Sequence, residues 1–199
     1  MNLQILMLVL CIFCSACAPS WVLVNQHNQN YTVGQLSFQA PIGWVVNNEH
    51  NNSYMAMVKG KKVEYKVDRF ILSRNGMDLD LISVTRFDLA DSFPHIGQIA
   101  DVTTLPAELA EKYLAEKQIQ LELEDLHIIR NAPEIVANNK GFLLQYQTKH
   151  YEGLQYDILV YGFAAPSGFY TVVYQAPSLH YFKANLADFN RLLNSLVLS

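Results

Sequence analysis

The alternation of side chains between Phe142 and Gln175 limits what this chain can become. Phe142, Leu144 and Tyr146 fall on one side of an extended chain, and Leu143, Gln145 and Gln147 on the other. A turn at Glu152-Gly153 leads into Leu154, Tyr156, Ile158 and Val160, which alternate again. Pro166-Ser167-Gly168 then turns the chain into Phe169 to Gln175. Strands joined by such short turns are neighbours, so the segment predicts an antiparallel meander. Immediately afterwards the period changes. From about Ser178 to Leu196, the residues Phe182, Leu186, Phe189, Leu193 and Leu196 step by four and three, which predicts a helix with one apolar stripe. That stripe must pack on the sheet.

The preceding part of the chain supplies more of the same. Tyr31 to Gln39 reads as a first strand, ended by Ala40-Pro41-Ile42-Gly43-Trp44. Tyr54 to Val58 and Lys61 to Val67 read as a hairpin across Lys59-Gly60, with Val63, Tyr65 and Val67 on one face and Glu64, Lys66 and Asp68 on the other. Phe70 to Ser73 and Leu79 to Phe87 flank Asn75-Gly76, a dipeptide suited to the two positive φ angles of a type I′ turn. A helix is predicted from a Thr104 cap, with Pro106 in its first turn and Leu109, Tyr113 and Leu114 as its apolar side, ending near Gln118. Leu126 to Arg130 reads as a short strand. The fold class is therefore α+β: an antiparallel sheet of six to eight strands with an internal helix and a C-terminal helix packed on it.

The 199 residues, 51% hydrophobic and 12% aromatic, suffice for one domain with its own core, here expected over 31–199. Met1 to Ser20 read differently. The apolar run from Ile5 to Phe13 is too short to span a bilayer and has the length of a signal-peptide core. It is followed by Cys14-Ser15-Ala16-Cys17. Small residues just before a cysteine resemble the lipobox of bacterial lipoproteins. Cys14 stands where that pattern normally has an aliphatic residue, and no Lys or Arg precedes the apolar run. The resemblance implies a signal peptide over 1–16, lipid on Cys17, and a lipidated tether over 17–30. An ordinary signal peptide cut near Ala16 or Ala18 is the alternative, and Trp21 to Val24 could instead pack as a strand. Ala18-Pro19 after the cysteine lacks the aspartate that retains lipoproteins at the inner membrane, so the pattern implies the periplasmic face of the outer membrane. All three cysteines lie in this segment, so the domain is expected to hold no disulfide and no thiol chemistry.

Ala-Pro-x-Gly-Trp at 40–44, the hairpin at Asn75-Gly76 followed by Ile82-Ser83-Val84-Thr85-Arg86, and Tyr174-Gln175-Ala176-Pro177 leading to Tyr181-Phe182 together resemble the PsbP-like family. The likeness runs from about Tyr31 to Ser195. It implies that fold, and binding or assembly roles at membranes. The residues that carry it shape turns and packing, so no functional residue is carried over with it.

Motifs for chemistry are sparse. The six histidines, His27, His50, His95, His127, His150 and His180, include no pair at helical ligand spacing and read as surface or turn residues. Asp78 with Asp80, and Asp88 with Asp91, read as solvated carboxylates rather than calcium ligands, since the spacing of a calcium loop is missing. No Gly-x-Ser-x-Gly occurs, and Glu122, Glu124 and Asp125 share one short segment, unlike a glycosidase pair. The 14 basic and 18 acidic residues are mixed, which argues against a nucleic-acid surface. Among the eleven tyrosines, those crowding the C-terminal third suit sheet packing or an interface; Tyr151, Tyr161 and Tyr170 are the candidates for a partner surface. The expectation is a non-catalytic lipoprotein, without cofactor or metal, that binds an envelope protein partner. A hydrolase with a site assembled from distant strands, or a carrier of a small apolar ligand, are the alternatives.

Overall fold

The computed structural model describes residues 21–47, 53–58, 61–76, 79–149 and 153–199. The chain runs β1 (Trp21–Leu23), β2 (Asn30–Val33), β3 (Leu36–Gln39), β4 (Val45–Asn47), β5 (Ser53–Val58), β6 (Lys61–Ser73), β7 (Leu81–Phe87), a 3-10 turn (Leu89–Asp91), α1 (Pro106–Leu121), β8 (Glu124–Val136), β9 (Asn139–Lys149), β10 (Gln155–Ala165), β11 (Gly168–Pro177), α2 (Tyr181–Asn194) and β12 (Val197–Leu198). The main sheet has the order β1-β4-β6-β7-β11-β10-β9-β8, with β5 paired to the first half of β6; β12-β3-β2 form a second, small sheet. Every pairing is antiparallel. The α+β class and the helices on a large antiparallel sheet are as expected.

The meander accounts for β9, β10 and β11, with Ile158 opposite both Tyr146 and Gln175. The β6–β7 hairpin joins it along β11, Thr85 facing Thr171. Because β7 lies inside the sheet and β8 ends it, the chain between them must cross the face of β11, β10 and β9. α1 makes that crossing and packs on β8, β9 and β10. On the opposite face lie α2 and the small sheet. Two cores result. One, around Trp44, Tyr174, Phe182 and Phe189, is covered by α2; the other, around Phe93, Tyr113, Phe142 and Phe169, by α1 and the loop before it.

Several boundaries differ from the expected ones, each for a local reason. Tyr31 to Gln39 is a hairpin, not one strand. Gly34 turns it at φ +57°, and a Cβ there would lie 2.3 Å from Arg86 Cδ, so only glycine fits. The chain before Tyr31 already packs on the domain: Val22 pairs with Val46, and Val24, fully buried, donates its N–H to the Trp44 carbonyl at 2.8 Å. Of the 17–30 tether, then, residues 21–30 belong to the domain; residues 1–20, with Cys17, lie outside the described residues. The β6–β7 turn is no two-residue type I′ turn, since Leu72 faces Ile82 across a longer loop. Leu105, not Thr104, caps α1. Thr104 Oγ1 instead accepts the Asp101 N–H, Pro106 opens the helix, and the helix continues past Gln118 to Leu121. β8 is 13 residues long, its regularity hidden by two register shifts and by Pro133, which a strand at the end of a sheet tolerates. α2 starts at Tyr181 and stops at Asn194, after which the chain pairs with β3.

Candidate functional site

The alternation of β6 places Arg69 on the same face as Val67, the face crossed by α1. Cross-strand register then builds a polar row from it. Arg69 faces Thr85, Thr85 faces Thr171, and Thr171 faces Gly162. The row stops there because the ring of Phe142 lies over Gly162, where a Cβ would sit 2.5 Å from Phe142 Cζ. Ser83 and Gln175 continue the polar band along β7 and β11. A sheet face under a helix is ordinarily apolar. Here the polar residues Ser83, Thr85 and Thr171 are buried beneath α1 yet face a cavity. Lys117, Gln120 and Leu121 stand above them and enclose a cleft formed by two adjoining cavities, about 160 and 370 Å³. The two share Arg69 and Tyr146 among their walls, and Tyr113 and Lys117 line the smaller.

Positive charge dominates the narrower part of the cleft. Lys117 Nζ sits 2.5 Å from Gln120 Oε1 and 5.7 Å from the centre of the Tyr113 ring. Burial, with the nearby Arg69 charge adding to it and Glu116 opposing, brings the Lys117 ammonium down to about 8. Burial also lowers Arg69 from its ordinary value and raises the phenols of Tyr113 and Tyr146. The carboxylate nearest in sequence is already engaged. Glu116 accepts the backbone N–H groups of His95 and Ile96 at 2.9 and 3.3 Å, and its other oxygen lies 2.5 Å from His95 Nδ1. That contact fastens the loop before α1 to the helix. Among the described residues no carboxylate is ion-paired with Arg69 or Lys117. Glu122 reaches the wider cavity from an exposed position just past the end of α1.

The residues singled out from the sequence lie elsewhere. Tyr170 is a correction: it is fully buried, its hydroxyl 3.0 Å from Ser167 Oγ and 3.3 Å from the Gln35 N–H that it accepts. It offers no surface to a partner, because β11 points it into the core under α2. Tyr161 shares that face, half-buried against Phe189 at 6.0 Å. Tyr151 lies outside the described residues, as do Asp78, His50 and His150. Asp80 is not a solvated carboxylate. It is buried and organises the β6–β7 loop by accepting from the backbones of Arg74 and Asn75 at 2.8 and 3.0 Å. His95 is likewise not a surface histidine. Asp88 is paired with Arg86 at 2.6 Å, and Asp125 with Lys149 at 2.6 Å. Among the described residues no group of three or more His, Cys, Asp or Glu is placed to hold a metal.

Arg69, Tyr113, Lys117 and Tyr146 were not foreseen as a site. One signal was present. Continuing the alternation of Val63, Tyr65 and Val67 by one step places Arg69 on an apolar face, and Ser83 and Thr85 repeat the anomaly on β7.

The fold built by these elements is PsbP-like. It is similar to the solution structure of cyanobacterial PsbP from Synechocystis, with a TM-score of 0.53 at 10% sequence identity, over 93% of this chain and 96% of that one. Weaker likenesses reach a Pseudomonas aeruginosa protein of unknown function, with a TM-score of 0.41 at 12% identity over 72% of this chain and 96% of that one. A Bacteroides thetaiotaomicron protein matches with a TM-score of 0.39 at 9% identity, over 86% of this chain and 48% of that one. No family model matches the chain, and no curated protein sequence does.

Proposed function

We propose that this chain is an exported lipoprotein, held by lipid on Cys17 at the periplasmic face of the outer membrane, whose domain is a non-catalytic binding module of the cell envelope. The observation that carries the binding role is the cleft between α1 and the sheet. Its described walls bring together cations, phenols, hydroxyls and amides around an open space, a furnishing for holding a ligand. They do not pair a nucleophile with a base. The anchor rests on the short apolar run ending in Ser15-Ala16-Cys17. Two acyl chains on one cysteine attach a protein firmly, where a single chain gives only marginal binding.

Both halves are tested in living cells. Palmitate labelling is expected for the native chain and lost in Cys17→Ala; labelling that survives the substitution would overturn the anchor. Crosslinking followed by affinity isolation and mass spectrometry is expected to yield an envelope component that disappears with Arg69→Gln. An isolate unchanged by that substitution would remove the cleft from the binding role.

A further inference from the structure

Two positive charges in one cleft repel each other, and the fold offsets that only in part, through Glu116, Gln120 and the Tyr113 ring at Lys117. Arg69 comes from the sheet and Lys117 from the helix, so the two elements hold them there independently. Arg69 is exposed on the cleft wall and Lys117 is partly buried, and neither is ion-paired with a carboxylate among the described residues. A fold that keeps two such cations beside Ser83, Thr85 and Thr171, whose hydroxyls form no side-chain hydrogen bond among the described residues, has a place for a group that accepts from all of them. That group is an oxyanion. Guanidinium suits the paired oxygens of a carboxylate or phosphate, and ammonium adds a point charge.

The rest of the cleft describes the other end of the ligand. Beyond Arg69 and Tyr146 the wider cavity has an apolar side, Leu81, Leu121, Leu123 and Ile158 with the Tyr156 ring beside them, and a polar side that includes Glu122, Thr148 and Lys149. Its volume of about 370 Å³ exceeds what a bare phosphate or carboxylate needs. We infer that the cleft binds an amphiphilic oxyanion, a carboxylate or phosphate that carries a short apolar chain, with the anion at Arg69 and Lys117 and the chain against Leu121, Leu123 and Ile158. The inference rests on the binding role proposed above and names its ligand class. A membrane lipid and a soluble acid both present this chemistry.

Calorimetric titration of the full chain in non-ionic detergent separates the possibilities, using hexyl phosphate, hexanoate, hexanol and inorganic phosphate as probes. Hexyl phosphate or hexanoate is expected to bind and hexanol not to. Arg69→Gln and Lys117→Gln are each expected to weaken binding at least about tenfold, the loss of one charge-assisted contact. Tyr161→Phe, on the opposite face, is expected to change nothing. Near pH 8 binding should draw a proton from the buffer, because the bound anion raises Lys117; Lys117→Gln should abolish that uptake while its own unfolding curve shows the domain intact. Inorganic phosphate matching hexyl phosphate would point to a soluble oxyanion and overturn the apolar half of the inference. Hexanol binding as well as hexyl phosphate would overturn the anionic half while sparing the cleft as a binding site. If no probe binds but crosslinking in cells still depends on Arg69, the ligand class is wrong and the binding role stands.

Discussion

The two faces of the main sheet treat buried charge in opposite ways. Under α2 every buried carboxylate is satisfied. Asp80 accepts from Ser73, from the backbones of Arg74 and Asn75, and from the side-chain amides of Asn75 and Asn185. Asp188 accepts the Trp44 indole at 2.8 Å and Arg74 at 2.9 Å, and pairs with Arg191. This network joins Trp44 just before β4, the β6–β7 loop and α2, so its polar groups do the work of joinery. On the other face Arg69 of the sheet and Lys117 of α1 are ion-paired with no carboxylate among the described residues. A network closed on itself stabilises a fold. A cluster left open stabilises something that binds to it, and stability and function pull apart at such places.

The contrast can be broken first on the closed side. Asp80→Ala would strand several buried donors and is expected to cost about 3 kcal/mol, a fall in Tm of roughly 6–12 °C for a domain of this size, read by thermal or urea unfolding. Gly162→Ala drives a methyl into the Phe142 ring, which seats α1, and should cost about 2 kcal/mol. On the open side the sign reverses. Lys117→Met is expected to raise stability by about 1 kcal/mol at pH 7, a modest gain because solvent in the cleft already screens the charge. A loss there would mean that the charge is matched after all.

The pH dependence sharpens the same point. Lys117 releases its proton at about 8 in the folded chain against an ordinary 10.5. Between those values the unfolded chain holds the extra proton, so stability rises with pH. The groups around Lys117 are Arg69 across the cleft, Tyr146 from β9, and Tyr113 and Glu116 on its own helix. The phenols of Tyr113, Tyr146 and Tyr174 are raised by burial, so above about 10 they act the other way and stability falls. Subtracting the profile of Lys117→Met from that of the native chain should leave the rise alone. The smallest effect is expected at Tyr161→Phe, under about 0.5 kcal/mol, since its half-exposed ring keeps its packing on Phe189.

The sheet was legible because its signal is local. Alternation over Phe142 to Gln175 needs no knowledge of distant residues, and the stripe of α2 reads off one turn after the next. Elements were misread where one residue outweighed the pattern. Gly34 folds a strand into a hairpin, and Pro133 with two bulges disguises a long strand as a short one. Asp80 looked solvated because its donors include a side chain from α2, far along the chain. The cleft was harder still. Its cations come from β6 and α1, and its aromatic walls from α1 and β9, so they meet only once the crossing of the sheet by α1 is known. What did show was incongruity: Arg69, Ser83 and Thr85 on faces where the period calls for apolar residues.

β8 closes the sheet order with a strand of 13 residues. The open side of such a strand is a template on which another chain can lay a strand of its own, and Ile128, Ile129 and Ile135 are exposed along it. Two copies meeting edge to edge is the hazard that such an edge carries. The strand is built to frustrate that meeting. Its first half is thrown out of register twice, with Asp125 at φ +48°, and its second half contains Pro133, which has no N–H to offer. A copy approaching this edge finds a ladder with missing rungs.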